Sequence, residues 1–285
     1  MKNGTSLIEF RRVSYAYPRA YRQRENSQDQ PALSELSLQI QAGEYVALLG
    51  HNGSGKSTLA RHCNALLLPE QGQVLIAGMD TQVAVYQRHI RDTVGMIFQQ
   101  PDNQIIATIV EDDVAWALTV RGLPAPLIVE RVDTALKDVG LAHLRKQSPQ
   151  RLSGGQRQRL AIAGVLALRP RCIIADEATS QLDPLSRQEI VTLLHHLRDN
   201  YGLTILHVTH LLEEAVQADR VLVMKEGQIM MDGSPAAVFA DLAYLRALKL
   251  AIPEPLELAA RLRAAGIPIS PAALTSEAIA QELAP

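Results

Sequence analysis

An α/β protein on a mostly parallel sheet is what this sequence predicts. Three observations carry that expectation. Short apolar runs alternate with segments of helical periodicity, the order that lays strands side by side under helices. One run, Tyr45-Val46-Ala47-Leu48-Leu49, ends directly in a glycine loop, as a strand buried on both faces does. Hydrophobic residues make up 47% of the 285 residues, enough for a substantial core.

In chain order, residues 6–13 and 36–40 cluster or alternate apolar residues as strands do. Between them, residues 19–30 are polar and rich in Arg and Gln, and read as a solvated loop. The strand at 45–49 is followed by a predicted helix over 57–68 and a buried strand over 94–98. From Pro101 the character turns helical, punctuated by Pro124 and Pro126, which suggests an inserted helical subdomain over about 101–160. A helix over 160–168 and a strand over 172–175 come next. Residues 187–197 place Ile190, Val191, Leu193, Leu194 and Leu197 on one helical face. A strand over 203–208 precedes a short helix over 211–217. Segments 221–224 and 228–231 flank Lys225-Glu226-Gly227, a hairpin signal with glycine at the turn. After Pro253 the chain is Ala- and Leu-rich with several prolines. The expected division is one domain over 6–233 and a helical appendage over 234–285.

Composition narrows the function. Lys plus Arg total 28 and Asp plus Glu 30, a formal charge of −2, which argues against a general nucleic-acid binder. Recognition of phosphate must then be local. The two cysteines, Cys63 and Cys172, belong to no CxxC or Cys/His cluster, so zinc has little support. Cys172 opens an apolar strand and reads as a buried, inert thiol. The first ten residues hold no apolar stretch of the secretory kind. No apolar run approaches the roughly 20 residues a spanning helix needs. A membrane role is expected to come only through partners.

Gly50-His51-Asn52-Gly53-Ser54-Gly55-Lys56-Ser57 fits the G-x-x-x-x-G-K-[ST] phosphate loop, with a strand before it and a helix after. The glycines let backbone N–H groups converge on phosphate oxygens. The helix adds its positive end, and Thr58 extends the same set. Lys56 is expected to place a full charge near the terminal phosphates of ATP, and Ser57 to offer a hard oxygen to Mg²⁺. Cys172-Ile173-Ile174-Ala175-Asp176-Glu177 is an apolar strand ending in two carboxylates. Asp176 suits the carboxylate near Mg²⁺, and Glu177 the base that polarises the attacking water. Ser153-Gly154-Gly155-Gln156 opens another helix, a second anion-binding device in one chain. The economical explanation is a dimer in which each chain's second loop closes on the other's ATP.

The order of GHNGSGKS, LSGGQ and CIIADE resembles the ATP-binding cassette (ABC) proteins over about residues 7–232. The resemblance implies a P-loop, RecA-like core with an antiparallel β subdomain, and nucleotide sandwiched head-to-tail between two cassettes. It also implies roles for single residues. Tyr17 resembles the aromatic that stacks on adenine. Gln99 resembles the glutamine that senses Mg²⁺ and contacts the membrane partner. Ser180-Gln181-Leu182-Asp183 resembles the loop that communicates across the dimer. His210, rather than His207, resembles the switch histidine at the γ-phosphate.

Four further segments, VSYAYP from Val13, FQQPDNQ from Phe98, EDDVA from Glu111, and IAGVLA from Ile162 with EATS from Glu177, resemble the energy-coupling factor transporters, importers of vitamins and of ions such as cobalt or nickel. Gln100 stands where asparagine is usual there. The resemblance implies a second, paralogous ATPase subunit, an integral membrane coupling protein and a membrane protein that captures substrate. It places the chain on the cytoplasmic face of the cell membrane. Three alternatives stay open: an ATPase of another importer class, for amino acids or peptides; a soluble cassette ATPase outside transport; and a nonhydrolytic ATP-binding module. The joint presence of Lys56, Asp176, Glu177 and His210 favours hydrolysis over the last.

Overall fold

A computed structural model describes residues 6–18 and 31–284. The polar segment 19–30 lies outside the described residues. The chain runs through β1 (Ser6–Tyr15), β2 (Leu33–Gln41), β3 (Tyr45–Leu49), α1 (Lys56–Cys63), β4 (Gln71–Ile76), β5 (Met79–Asp80), α2 (Ala84–Thr93) and β6 (Val94–Ile97). It continues with α3 (Val110–Val120), α4 (Ala125–Asp138), α5 (Gly154–Leu166), β7 (Cys172–Asp176), α6 (Pro184–Tyr201), β8 (Thr204–Val208), β9 (Arg220–Lys225) and β10 (Gln228–Gly233). Helices α7 (Pro235–Val238), α8 (Leu242–Ala247), α9 (Glu254–Ala264) and α10 (Ser276–Leu283) close it.

The main sheet has the order β10-β9-β3-β8-β7-β6. Its pairs are parallel except the β9–β10 hairpin. Every residue of β3, β7 and β8 is buried, which is why they read as unbroken apolar runs. A second, antiparallel sheet has the order β2-β1-β4-β5.

The period-2 alternation of the strands divides the core. Tyr45, Ala47, Leu49, Ile173 and Ala175 face the layer that holds α3, α4, α5 and α6. Val46, Leu48, Cys172 and Ile174 face α1 and the antiparallel sheet. Cys63 and Cys172 are free and buried in that second layer. Burial pushes both thiols up, that of Cys172 to about 12, which matches the inert reading. The last helices are not detached. Val238, Phe239, Leu242, Leu245 and Leu256 join the main core, while Ala259, Ile269, Ala273 and Ile279 form a small cluster of their own.

Residues 69–93 carried no element in the sequence reading, yet they hold β4, β5 and α2. The first half of β4 is exposed and polar, and α2 buries only Ile90, so both signals are faint. Helix α1 is also shorter than its apolar pattern suggests. It stops at Cys63, where Asn64 turns its side chain to the Val94 carbonyl and Ala65 enters the left-handed region at φ 52°. Among the described residues, no helix is long and apolar enough to cross a membrane.

Candidate active site

Parallel strands deliver four loops to one edge of the main sheet. Strand β3 leads to the glycine loop, β7 to Asp176 and Glu177, β8 to Thr209 and His210, and β6 to Phe98 and Gln99. That edge is the crevice where open α/β sheets bind ligands. A cleft of about 1280 Å³ lies there, and Tyr17, Asn52, Gly53, Gly55, Lys56, Ser57, Thr58, Gln99, Asp176 and Glu177 line it.

The loop is packed so closely that only glycine fits at one key place. A Cβ on Gly55, at φ 105°, would lie 2.5 Å from the Ala32 carbonyl oxygen. The Ser54 hydroxyl is buried without a hydrogen-bond partner. Lys56 is 4% exposed, and its Nζ donates to the carbonyls of Gly50 (2.8 Å) and His51 (3.2 Å). Glu177 Oε1 lies 3.5 Å from the same nitrogen. Burial pushes the Lys56 ammonium down, and the Glu177 carboxylate opposes that shift. A buried cation leaning on two backbone carbonyls and one carboxylate is poised for a stronger anion.

Ser57 Oγ donates to Asp176 Oδ1 at 2.8 Å, joining groups 119 residues apart in sequence. Burial pushes the Asp176 carboxyl up, while the Ser57 hydroxyl and then Arg61 act against it. Glu177 sits at φ 50°, a left-handed conformation that costs a non-glycine residue about 1–3 kcal/mol. Its N–H donates to the Val208 carbonyl at 2.9 Å, which ties the strained turn to β8. Gln99 Nε2 donates to Ser180 Oγ (3.2 Å), which in turn donates to the Glu177 carbonyl (2.9 Å). Tyr17 lines the cleft, with its hydroxyl 3.2 Å from Thr58 Oγ1.

Other expected residues do not line this cleft. Gly50, His51 and Ser54 belong to the loop but not to the cleft wall, and His51 Nδ1 lies 2.6 Å from the Asn52 carbonyl oxygen. Ser153, Gly154, Gly155 and Gln156 open α5 elsewhere. There Ser153 Oγ accepts from the Gln156 N–H (3.3 Å) and Gln156 Oε1 accepts from the Ser153 N–H (2.9 Å), a reciprocal cap. His210 also lies outside the cleft, with its Nδ1 buried and unpartnered. His207 is the fully buried histidine of the pair, held by the Tyr45 hydroxyl at 3.0 Å.

Sequence reasoning missed part of the wall: Arg61, Pro31, Ala32, Asn103, Glu226 and Gly227. Arg61 was findable, since it lies one helical turn after Ser57. The hairpin turn was not. The Gly227 N–H donates to the Ser54 carbonyl (3.0 Å) and its carbonyl accepts from Ser34 (3.1 Å), a long-range contact that straps the turn to the loop.

Comparison with known proteins decides the family. Residues 33–180 match the family model described as ABC transporter. The chain is 48% identical to the energy-coupling factor transporter ATP-binding protein EcfA1 of Symbiobacterium thermophilum, over 95% of this chain and 94% of that protein. The chain belongs to the ABC transporter family, among the energy-coupling factor ATP-binding proteins. Two solved structures agree with the cassette architecture. One is cbiO1 from Clostridium perfringens, described as part of the ABC transporter complex cbiONQ (TM-score 0.75, 34% identity, 89% of this chain and 98% of that one). The other is a dimeric ATP-binding cassette in a post-hydrolysis state bound to ADP and Pi (TM-score 0.70, 29% identity, 80% and 98%). The present chain holds the glycine loop, the paired carboxylates and the partly exposed LSGGQ helix start in one fold.

Proposed function

We propose that this chain is the ATP-hydrolysing subunit of an energy-coupling factor importer, powering uptake of a vitamin or transition-metal ion through membrane partners. The observation that carries the reading is the convergence of Lys56, Ser57, Asp176 and Glu177 in one cleft. In this reading the loop from Gly50 to Ser57, with Thr58, cradles the phosphates, and Tyr17 stacks on adenine. The Lys56 ammonium, buried in the cleft and resting on loop carbonyls, fits a phosphate chain.

Mg²⁺ fits the site as well. The short Ser57–Asp176 contact brings together a hydroxyl and one carboxylate, the sparse protein set magnesium uses alongside phosphate oxygens. Gln99, which lines the same cleft, would offer a third oxygen to the ion. A bound magnesium ion supplies charge neutralisation at the terminal phosphates. Glu177 orients and deprotonates the attacking water, Lys56 holds the γ-phosphate, and His210, outside the cleft wall in the single chain, reaches that phosphate on closure. Glu177 reaches that water only if Lys56 turns from it toward phosphate.

The Ser153–Gln156 cap is exposed and stands apart from its own chain's cleft. It serves the ATP of a second cassette, a paralogue in the assembled importer. Ser153→Arg is therefore expected to leave ATP binding to the same chain within about twofold while blocking closure and hydrolysis. Crosslinking between chains with ATP present checks this, and undisturbed closure contradicts the trans role.

Coupling runs through the loop after Gln99. Asp102 lies 3.2 Å from Arg157 Nε, and Arg157 Nη1 donates to the Leu152 carbonyl at 2.9 Å, so this loop touches the LSGGQ helix. Ile106 and Trp116 are more than half exposed, so neither serves as core packing. Residues 99–106, with Ile106 and Trp116 as the exposed apolar anchors and Ile105 packed on the core, form one wall of the surface for a cytoplasmic helix of the integral membrane partner. The cassette sits peripherally on the cytoplasmic face, beside a substrate-capture membrane protein, with no role for nucleic acid. Replacing Asp102 with alanine removes one exposed ion pair, worth about 0–1 kcal/mol, so the fold survives. ATPase activity of the paired cassettes without membrane partners is expected to persist, while transport or co-purification with the membrane partner falls.

A further inference from the structure

One buried carboxylate has no place in the chemistry above. Glu214, on the turn Leu212–Ala215, is 4% exposed. Its Oε2 lies 3.3 Å from His207 Nε2 and its Oε1 3.6 Å from Arg187 Nε. The hydroxyls of Thr209 and Thr179 face it too. The group is ringed by donors without a short, aligned hydrogen bond to either oxygen. Burial alone would raise its pKa, but His207 and the two hydroxyls hold it below the usual carboxylate range. Glu214 is thus a buried carboxylate enclosed by donor groups of its neighbours.

What those neighbours are gives the group its meaning. Thr179 is two residues past Glu177, and Thr209 directly precedes His210. Arg187 also donates through Nη2 to the Leu182 carbonyl (3.2 Å), inside the 180–183 loop. His207 is anchored from behind by Tyr45, whose ring stacks on His195 at 4.1 Å. Two stretches of chain, one from Glu177 to Arg187 and one from His207 to Glu214, therefore meet at one anion. A bare carboxylate in the interior is costly unless its surroundings are organised around it.

We propose that Glu214 is a positioning residue, one carboxylate that holds the Glu177 turn, the 180–183 loop and the His210 loop in a common register so that Glu177 and His210 address the same phosphate. The inference rests on the assignment of Glu177 and His210 given above. Removing the charge loosens the register without touching the phosphate loop, so turnover falls while ATP binding stays.

The test uses the full-length chain purified with its co-expressed partner subunits, comparing Glu214→Gln, Thr179→Val, their double variant and Glu177→Gln. Glu214→Gln is expected to lower kcat about tenfold or more, with the KM and Kd for ATP within about twofold. Thr179→Val deletes one hydroxyl at nearly constant volume. It is expected to lower kcat less, also without moving KM, and it carries the test if Glu214→Gln does not fold. Because both act through one contact, the double variant is expected to be no slower than Glu214→Gln. Parental kcat in the folded variants, an equal loss of ATP affinity, or fully multiplicative losses would overturn the proposal. Glu177→Gln separates the two levels of the argument: parental turnover in that variant sinks the catalytic assignment itself, whereas an inactive Glu177→Gln beside a fully active Glu214→Gln sinks only the positioning role.

Discussion

Replacing Lys56 with alanine is expected to weaken MgATP binding and abolish hydrolysis. The reason lies in where the charge sits. Lys56 is buried at the start of α1, and its nearest anion in the structure is Glu177 at 3.5 Å. At about 4 Å and an effective dielectric near 20, a unit pair contributes roughly 4 kcal/mol before desolvation. Phosphate carries more charge than a carboxylate and should draw the ammonium away from Glu177. Alanine removes the cation but leaves a carboxylate that still reaches water, so the fold is expected to survive. Isothermal titration with MgATP and a steady-state phosphate-release assay check both halves. Normal turnover in the variant contradicts the assignment of the loop.

The second large effect separates binding from chemistry. Glu177→Gln keeps size and hydrogen bonding and removes only the base. Glutamine adopts the left-handed turn at φ 50° with the same strain as glutamate, so the backbone bond to Val208 persists. Loss of a positioned general base costs about 10²- to 10⁴-fold in rate. ATP affinity should hold, because Lys56 loses a competing anion and the phosphate loop is untouched. Single-turnover hydrolysis beside nucleotide binding measures the two effects separately.

The glycine loop, the acidic strand end and the LSGGQ start were legible because each is a short run whose meaning depends on adjacent residues and on the elements around it. The all-buried strands β3, β7 and β8 were legible for a similar reason: unbroken apolar runs have few other readings. Strand β4 and helix α2 were not, since one starts with exposed Gln71-Gly72-Gln73 and the other buries a single residue. What the chain brings together over long distances was hidden altogether. Ser57 meets Asp176, and Gly227 straps the loop at Ser54, through contacts that no local pattern announces. Glu214 reads in sequence as one acid of an ordinary Glu213-Glu214 pair. Only the fold turns it inward onto His207 while Glu213 stays at the surface beside Arg187. The choice of His210 over His207 rests on sequence order alone, since each ring keeps one buried nitrogen without a hydrogen bond and only His207 is held by Tyr45.

The central claim is that hydrolysis occurs at a cleft one chain builds and a second cassette closes. Association of the Glu177→Gln chain with its co-expressed partner cassette, followed by analytical ultracentrifugation with and without MgATP, tests it most directly. The account predicts separate chains without nucleotide and a stable closed pair with it, lost again when Ser153→Arg is added. A sedimentation profile that MgATP leaves unchanged, or a closed pair that Ser153→Arg does not disturb, would contradict it.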